Sequence, residues 1–194
     1  MTHDTILYLH GFRSSPSSFK ARLLGERLRP CEPSVNYLCP QLPASPKAAI
    51  EYAQQLVVGV DPTRLTVIGS SLGGYYATWL AEATGCKAVL LNPAVSAPQN
   101  LKKYVGVTTQ FHSSQPFEFK ALYIDELRAL SIARITQPSR YFLLAASGDE
   151  VLDWREMVAH YPAVRHKVIE GSDHGMSDFA DHIDEVITFC SDPR

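Results

Sequence analysis

Residues 69 to 73 read GSSLG and place a serine between two glycines where two sequence patterns meet. An apolar run precedes them and a helix-like stretch follows, which predicts a tight strand-to-helix turn that displays Ser71. Side chains two residues before or after that serine would collide with it or with the flanking backbone, so glycine suits Gly69 and Gly73. A serine displayed in this way is typical of a nucleophile.

A serine acts as a nucleophile at neutral pH when a base takes its proton and a third group orients that base. His174 lies in the glycine-flanked segment GSDHGMSDF, between an apolar run and the last helix-like stretch. Asp149 lies in SGDEVLDW, directly after another apolar run. The order serine, acid, histidine is known for one class of catalytic triad. We therefore predict Ser71 as nucleophile, His174 as base and Asp149 as acid.

Neighbouring residues offer alternatives for the acid and the base. Glu150 and Asp153 lie close to Asp149, but Asp153 also precedes the stretch DWREMVAHY, where an aspartate commonly caps a helix. Asp173 adjoins His174 and is expected to point away from it into a turn or cap. The base is expected in a loop that follows a strand near the carboxyl end of the chain, and only His174 has such a position. The six other histidines are His3, His10, His112, His160, His166 and His182.

We expect no metal and no cofactor. His182, Asp178 and Asp181 superficially resemble a metal cluster, but they lack the HExxH spacing and lie on a predicted solvated helix face. The four cysteines lie outside any CxxC spacing, and we expect free thiols, although the first two could pair. They are Cys31, Cys39, Cys86 and Cys190.

Composition indicates one globular domain over residues 1–194, long enough for a sizeable core. Apolar residues make up 45% and charged residues 20%, which argues against a largely disordered chain. The net charge is -2 without a basic stripe, so nucleic-acid binding is disfavoured. The beginning of the sequence does not resemble a signal peptide and no run approaches a membrane span, so we expect a cytoplasmic protein.

Short apolar runs alternate with helix-like stretches along the chain. The runs cover residues 5–10, 35–39, 64–70, 87–92, 140–146 and 165–170, and most are apolar throughout. The helix-like stretches cover residues 18–29, 45–60, 73–85, 153–162 and 176–190. This alternation predicts an α/β fold with a doubly wound, mostly parallel sheet of about six strands and helices on both faces.

Residues 94–138 interrupt the alternation as a polar, proline-punctuated insertion with one predicted helix at its end. The insertion follows a strand whose carboxyl end would face the ligand side, so we predict a short lid or substrate-binding cap. Its aromatic side chains either line an acyl pocket or anchor the insertion to the core. They are Phe111, Phe117, Phe119 and Tyr123.

Five motifs spread over nearly the whole chain carry a family resemblance: YLHGFRSSPSSFKA, GSSLGGYYATWLAE, LNPAV, GDEVLD and GSDHGMSDF. Together they resemble the α/β-hydrolase superfamily, and within it the small bacterial YqiA-type esterase family. The resemblance implies the same three residues as a triad. It also implies an oxyanion hole formed by the backbone N–H groups of Phe12, in the HGF motif, and Leu72, with His10 holding the loop. The leading antiparallel strands and long cap domain of larger relatives are missing.

The expected activity is a serine hydrolase that cleaves carboxylic esters of small or medium acyl chains through an acyl-enzyme. An acyl-CoA thioesterase is the alternative with the same residues, and Lys102, Lys103 or Lys120 could meet its phosphates. A second alternative is a binding module of the same fold without catalysis. A small-molecule ester or thioester is therefore the expected partner.

Overall fold

The computed structural model describes residues 4–31, 34–110 and 116–192. The strands in these ranges are β1 (Thr5–Leu9), β2 (Asn36–Leu38), β3 (Leu65–Ser70), β4 (Lys87–Leu91), β5 (Gly106–Thr109), β6 (Pro116–Phe119), β7 (Tyr141–Ala146) and β8 (Arg165–Ile169). The helices are α1 (Phe19–Cys31), α2 (Pro46–Leu56), α3 (Leu72–Thr84), α4 (Ala97–Leu101), α5 (Leu122–Ala129), α6 (Trp154–His160) and α7 (Ile183–Ser191).

Six of the strands form one parallel sheet in the order β2-β1-β3-β4-β7-β8. Every residue of β1, β3, β4 and β7 is buried, whereas the edge strands β2 and β8 are partly exposed. Strands covered on both faces explain the nearly continuous apolar runs of the sequence. The predicted parallel sheet of six strands is confirmed.

The helices pack on both faces of the sheet, as predicted. Alternate strand residues point to opposite faces and divide the core in two. On one face Tyr8, Ile68 and Phe142 meet α1 and α7. On the other face Leu7 and Val67 meet α2, α3, α5 and α6. Helices therefore cover both faces of the sheet, and loops lie at the ends of its strands.

The insertion contains more regular structure than the single predicted helix. It holds α4, α5 and an antiparallel pair, β5 with β6, and this strand pair was not predicted. Phe119 is 1% exposed within the core, and the Tyr75 hydroxyl donates a hydrogen bond to the Leu127 carbonyl at 2.8 Å. These contacts anchor the insertion to the body; its role as a lid stays a prediction, and Phe111 lies outside the described residues.

The carboxyl ends of the strands meet at one edge of the sheet. Leu9 pairs with Gly69, Ser70 pairs with Leu91, and Ala146 pairs with Ile169. Strand β1 lies second in the sheet. The chain continues from it to the edge strand β2 and then returns to β3 on the other side of β1, so the strand order reverses between β1 and β3. Parallel α/β sheets bind ligands beside such a reversal, at the carboxyl ends of the strands.

None of the helices in the described ranges has the length and apolar character needed to cross a bilayer. Cys39, Cys86 and Cys190 are free thiols. The side chain of Cys31 lies outside the part of the chain that the structure describes.

Candidate active site

Ser71 occupies a strained backbone conformation between β3 and α3, with φ 55° and ψ −118°. Few residues other than glycine adopt positive φ, and such strain persists only where the surroundings enforce it. The Ser71 N–H donates to the Leu91 carbonyl at 3.0 Å, and the Ser71 carbonyl accepts from Ala94 at 3.0 Å. The end of β4 thus fixes the turn, and the serine lies at the positive end of the α3 dipole.

The two glycines of the GSSLG motif are required by close backbone approach. A Cβ atom on Gly69 would lie 2.1 Å from the Gly73 carbonyl oxygen. A Cβ atom on Gly73 would lie 1.9 Å from the Leu9 carbonyl oxygen at the end of β1. A side chain on Gly73 would therefore push the turn away from β1, and one on Gly69 would separate the end of β3 from the first turn of α3.

The structure brings the three predicted triad residues together from three loops. The Nε2 atom of His174 lies 3.1 Å from the Ser71 Oγ atom. Its Nδ1 atom lies 2.7 Å from the Oδ2 atom of Asp149. An Nδ1–H group that donates to the carboxylate leaves the Nε2 lone pair directed at the serine hydroxyl. This arrangement suits proton removal from Ser71.

Asp149 is held by backbone groups as well as by the imidazole. Its side chain is fully buried, and its Oδ1 atom accepts hydrogen bonds from the N–H groups of Val151 and Leu152, both at 2.8 Å. These donors fix the carboxylate in place beside the His174 ring.

The alternative acids have other partners. The Glu150 carboxylate accepts from the backbone N–H of His174 at 3.1 Å and does not reach the ring. Asp153 caps α6 by accepting from Arg155 at 2.9 Å, as expected. Asp173 accepts from the Ser177 N–H at 2.8 Å, which places it in a turn, also as expected.

The loop after β1 lies beside the serine. A Cβ atom on Gly11 would lie 3.3 Å from Ser71 Cβ, so the backbone passes close to the nucleophile. In the described part of the chain, neither Phe12 nor Leu72 donates its N–H to another residue. Both N–H groups are therefore available, as the predicted oxyanion role requires.

His10 fixes this loop. Its Nε2 atom accepts from the Leu42 N–H at 3.0 Å, and its Nδ1 atom lies 3.0 Å from the Gly11 carbonyl. Burial lowers the pKa of His10, and the hydrogen bond to Gly11 offsets this only in part. The ring is therefore neutral, donates through Nδ1 and accepts through Nε2, which fits the structural role expected from the sequence.

Asn92 joins the end of β4 to the segments that carry Asp149 and His174, and it was missed by sequence reasoning. It follows β4, is fully buried and has φ 45°. Its Oδ1 atom accepts from the Ala146 N–H at 2.8 Å, while its Nδ2 atom donates to the carbonyls of Asp173 and His174 at 3.2 and 3.1 Å. In the sequence, Asn92 belongs to the motif LNPAV, but nothing in that motif distinguishes it from an ordinary turn residue.

Two cavities open on either side of Ser71 and His174. One, of about 240 Å³, lies beneath the loop after β1 and is rich in hydroxyl groups. The other, of about 210 Å³, has a mainly apolar wall that includes Leu101 and Tyr104 from the insertion, and Arg13 and Lys103 also line it. Phe117, Phe119 and Tyr123 do not line it; they pack against Phe12 or one another in the anchor of the insertion.

Within the described ranges, no group of three or more potential ligands is arranged to hold a metal ion. The Nε2 atom of His182 lies 3.6 Å from the Asp178 carboxylate, and Ser172 donates a hydrogen bond to the same carboxylate at 2.5 Å. The Asp178 side chain is thus engaged in tying the loop before α7.

Solved structures of similar shape support the fold assignment. A protein of Agrobacterium vitis S4 shares 18% identity over 97% of this chain and 88% of that one, with a TM-score of 0.74. Mouse alpha/beta hydrolase domain-containing protein 10 shares 16% over 96% and 90%, with a TM-score of 0.70. The esterase domain of a Rhodothermus marinus protein shares 17% over 95% and 84%, with a TM-score of 0.69. At these identities the likeness shows the α/β-hydrolase fold.

A family model matches almost the entire chain, over residues 5–191. The family is described as "Uncharacterised protein family (UPF0227)". The match includes all five motifs on which the resemblance to YqiA-type proteins was based. The chain therefore belongs to family UPF0227 and has an α/β-hydrolase fold.

Proposed function

We propose that this protein is a serine hydrolase that cleaves carboxylic esters of small or medium acyl chains. The observation that carries the proposal is the continuous hydrogen-bond chain from Ser71 through His174 to the buried Asp149, in which the serine is on a strained turn. The esterase domain of the Rhodothermus marinus protein, with the same fold, is a supporting parallel.

The reaction begins when Ser71 Oγ attacks the ester carbonyl carbon while His174 Nε2 takes the hydroxyl proton. The carbonyl oxygen becomes an oxyanion, which the N–H groups of Phe12 and Leu72 stabilise; one such donor is typically worth about 3 kcal/mol. Asp149 stabilises the imidazolium that forms. The imidazolium then gives its proton to the departing alkoxide, which leaves an acyl group on Ser71.

Water then hydrolyses the acyl-enzyme with the help of the same groups. His174 takes a proton from water as the water oxygen attacks the acyl carbon, and the second tetrahedral intermediate uses the same oxyanion donors. Collapse of this intermediate returns the proton to Ser71 Oγ and releases the carboxylic acid. No cofactor is needed for either half of the reaction.

The mainly apolar cavity is the proposed acyl site. Its volume of about 210 Å³ corresponds to about seven groups the size of a water molecule, which suits short or medium acyl chains. Leu101 and Tyr104 belong to the insertion, so residues 94–138 would shape this pocket as a cap. We therefore expect rates to fall for acyl chains longer than the cavity.

Thioester hydrolysis is the second candidate because the same residues serve both reactions. Lys103 lines the apolar cavity and is exposed, so it is placed to meet a phosphate of a CoA leaving group. Lys102 is exposed outside the cavity, and Lys120 lies 3.8 Å from the Glu118 carboxylate. Rates on butanoyl-CoA and on a matched oxygen ester, with Lys103→Gln as variant, separate the two candidates.

The test of the proposed function is hydrolysis of para-nitrophenyl butanoate by the wild type and by Ser71→Ala. We expect the variant to retain the fold, judged by circular dichroism, and to lose at least about 1,000-fold in kcat. Retention of full activity in a pure Ser71→Ala preparation would exclude Ser71 as nucleophile. Absence of activity from the wild type on every ester and thioester would favour the binding module instead.

A further inference from the structure

The cavity beneath the loop after β1 differs in chemistry from the proposed acyl site. Both cavities contain Ser71 and His174, so a substrate at the serine can extend into either one. The cavity of about 240 Å³ has a buried lysine and several hydroxyl groups on its wall, whereas the lysine of the acyl site, Lys103, is exposed; we call the former the Lys20 cavity. The polar side chains that line it are Tyr8, Ser14, Ser18, Lys20 and Ser70.

Lys20 is an unusual wall residue because it is only 8% exposed. Its Nζ atom donates to the Gly175 carbonyl at 2.6 Å. An ammonium group has three N–H donors, so this bond leaves donors for another acceptor. Burial lowers the pKa of Lys20 to about 8, partly offset by the charges of Asp173 and Asp149, and the group is mainly protonated at neutral pH.

No carboxylate is among the residues that line the Lys20 cavity. The Asp149 oxygens bind His174 and two backbone N–H groups, and an Asp173 oxygen binds the Ser177 N–H. Among the described lining residues, Lys20 supplies the only permanent charge, and the Asp149 and Asp173 charges act on it from outside the lining. A buried cation of this kind attracts an anion more strongly than an exposed lysine does, because water screens it less.

We propose that the Lys20 cavity binds an anionic group, a carboxylate or phosphate, carried by the ester substrate itself. This inference rests on the proposed function and assigns a substrate class to it. The cavity has room for about eight groups of the size of water, so the anion lies a few bonds from the ester carbonyl. The apolar remainder of the same substrate occupies the cavity beside Leu101 and Tyr104.

Pairs of esters with similar skeletons, one anionic and one neutral, test this assignment. For an anion on the acyl side, the pair is mono-para-nitrophenyl glutarate and para-nitrophenyl pentanoate. For an anion on the alcohol side, the pair is the butanoyl ester of para-hydroxybenzoate and that of its methyl ester. We expect kcat/KM to favour the anionic member of at least one pair by about 10-fold at low salt, and that pair identifies which side of the ester enters the cavity.

Lys20→Met keeps an apolar stem of similar length and removes the charge. We expect the ratio of kcat/KM for the anionic ester to kcat/KM for the neutral ester to fall to about one in this variant. Lys47→Met removes the same charge from an exposed position on α2 and should leave the preference unchanged. Equal loss on both esters would instead mean that Lys20 acts only by holding Gly175 beside His174, which would overturn the assignment.

Competitive inhibition of the wild-type enzyme tests the same assignment even if Lys20→Met does not fold. Glutarate should compete with para-nitrophenyl butanoate at least about 10-fold more strongly than pentanamide does, and salt should weaken this inhibition. A wild type that hydrolyses both members of each pair equally and is not inhibited by glutarate overturns the anionic class but leaves the esterase intact. A wild type without activity on any ester overturns both proposals.

Discussion

At the scale of single residues, the site depends on a backbone conformation that serine does not favour. Ser71 has φ 55°, and the ends of β1 and β4 prevent its relaxation through the contacts of Gly73 with Leu9 and of Ser71 with Leu91. Strain of this type costs of order 1–3 kcal/mol, which the rest of the fold must offset.

Replacement of Ser71 by glycine and by alanine measures that strain. Glycine adopts positive φ freely, so we expect Ser71→Gly to be more stable than Ser71→Ala by about 1 kcal/mol in urea unfolding. The same pair of changes at the exposed Ser139, in the 3₁₀ turn Pro138–Arg140, should favour alanine instead. If Ser71→Ala were the more stable variant, the turn would not be strained.

At the scale of elements, Asn92 couples the end of β4 to the segments that carry Asp149 and His174. Through one side chain it joins the end of β4, the end of β7 before Asp149, and the carbonyls of Asp173 and His174. Its φ of 45° is a conformation that asparagine tolerates better than most residues. We assign Asn92 as a positioning residue, since it reaches the reacting atoms only through His174.

Asn92→Asp is the sharpest test of this coupling. The aspartate keeps an acceptor for Ala146 but replaces the two donors with a charged oxygen facing the carbonyls of the histidine loop. We expect kcat to fall about 10- to 100-fold with little change in KM and with a displaced pH profile. Asn36→Asp, the same change at an exposed position on β2, should leave both constants unaltered. Unchanged kcat in a folded Asn92→Asp variant would refute the assignment.

The elements that could be predicted from the sequence are those whose buried residues form a visible pattern of apolar residues or glycines. The central strands were predictable because every residue of them is buried, and the turn at Ser71 because close approach there requires Gly69 and Gly73. The pair β5–β6 was not predictable because β5 is mostly exposed and shows no apolar alternation. Asn92 and Lys20 lack any spacing pattern, since their roles arise from contacts between distant segments.

At the scale of the whole molecule, the carboxyl ends and the amino ends of the strands have different roles. The proposed chemistry lies at the carboxyl ends of the strands. Near the start of β7, at the opposite end, Arg140 and Glu82 form an ion pair at 3.0 Å whose side chains are 8% and 9% exposed. Tyr141 and Thr136 donate further hydrogen bonds to Glu82. This cluster ties α3 to the sheet without contact with the site.

Glu82→Gln separates stability from activity. Removal of one partner of a buried pair leaves the Arg140 charge uncompensated, so we expect a loss of about 3 kcal/mol in unfolding free energy with unchanged kcat/KM below the melting transition. Loss of activity without loss of stability would contradict this division of the sheet.

The stability difference between Glu82→Gln and the wild type should also depend on pH. Burial alone would raise the pKa of Glu82, but the hydrogen bonds from Tyr141 and Thr136 and the charge of Arg140 outweigh it and lower the pKa. A carboxylate with a lowered pKa stabilises the fold fully above its ordinary pKa of 4.5 and loses this effect as the pH falls. We therefore expect the stability difference to shrink below about pH 4.5 and to stay constant from pH 6 to 8.

The most direct test of the proposed serine hydrolase is covalent labelling of the intact protein with a fluorophosphonate, followed by peptide mapping by mass spectrometry. The reagent reacts with a serine only when a base and an oxyanion site activate it. We expect one equivalent of label on Ser71, not on Ser70, and about 100-fold slower labelling of His174→Ala. A folded wild-type protein that remains unlabelled, or that is labelled elsewhere, would contradict the assignment of Ser71, His174 and Asp149 as a working triad.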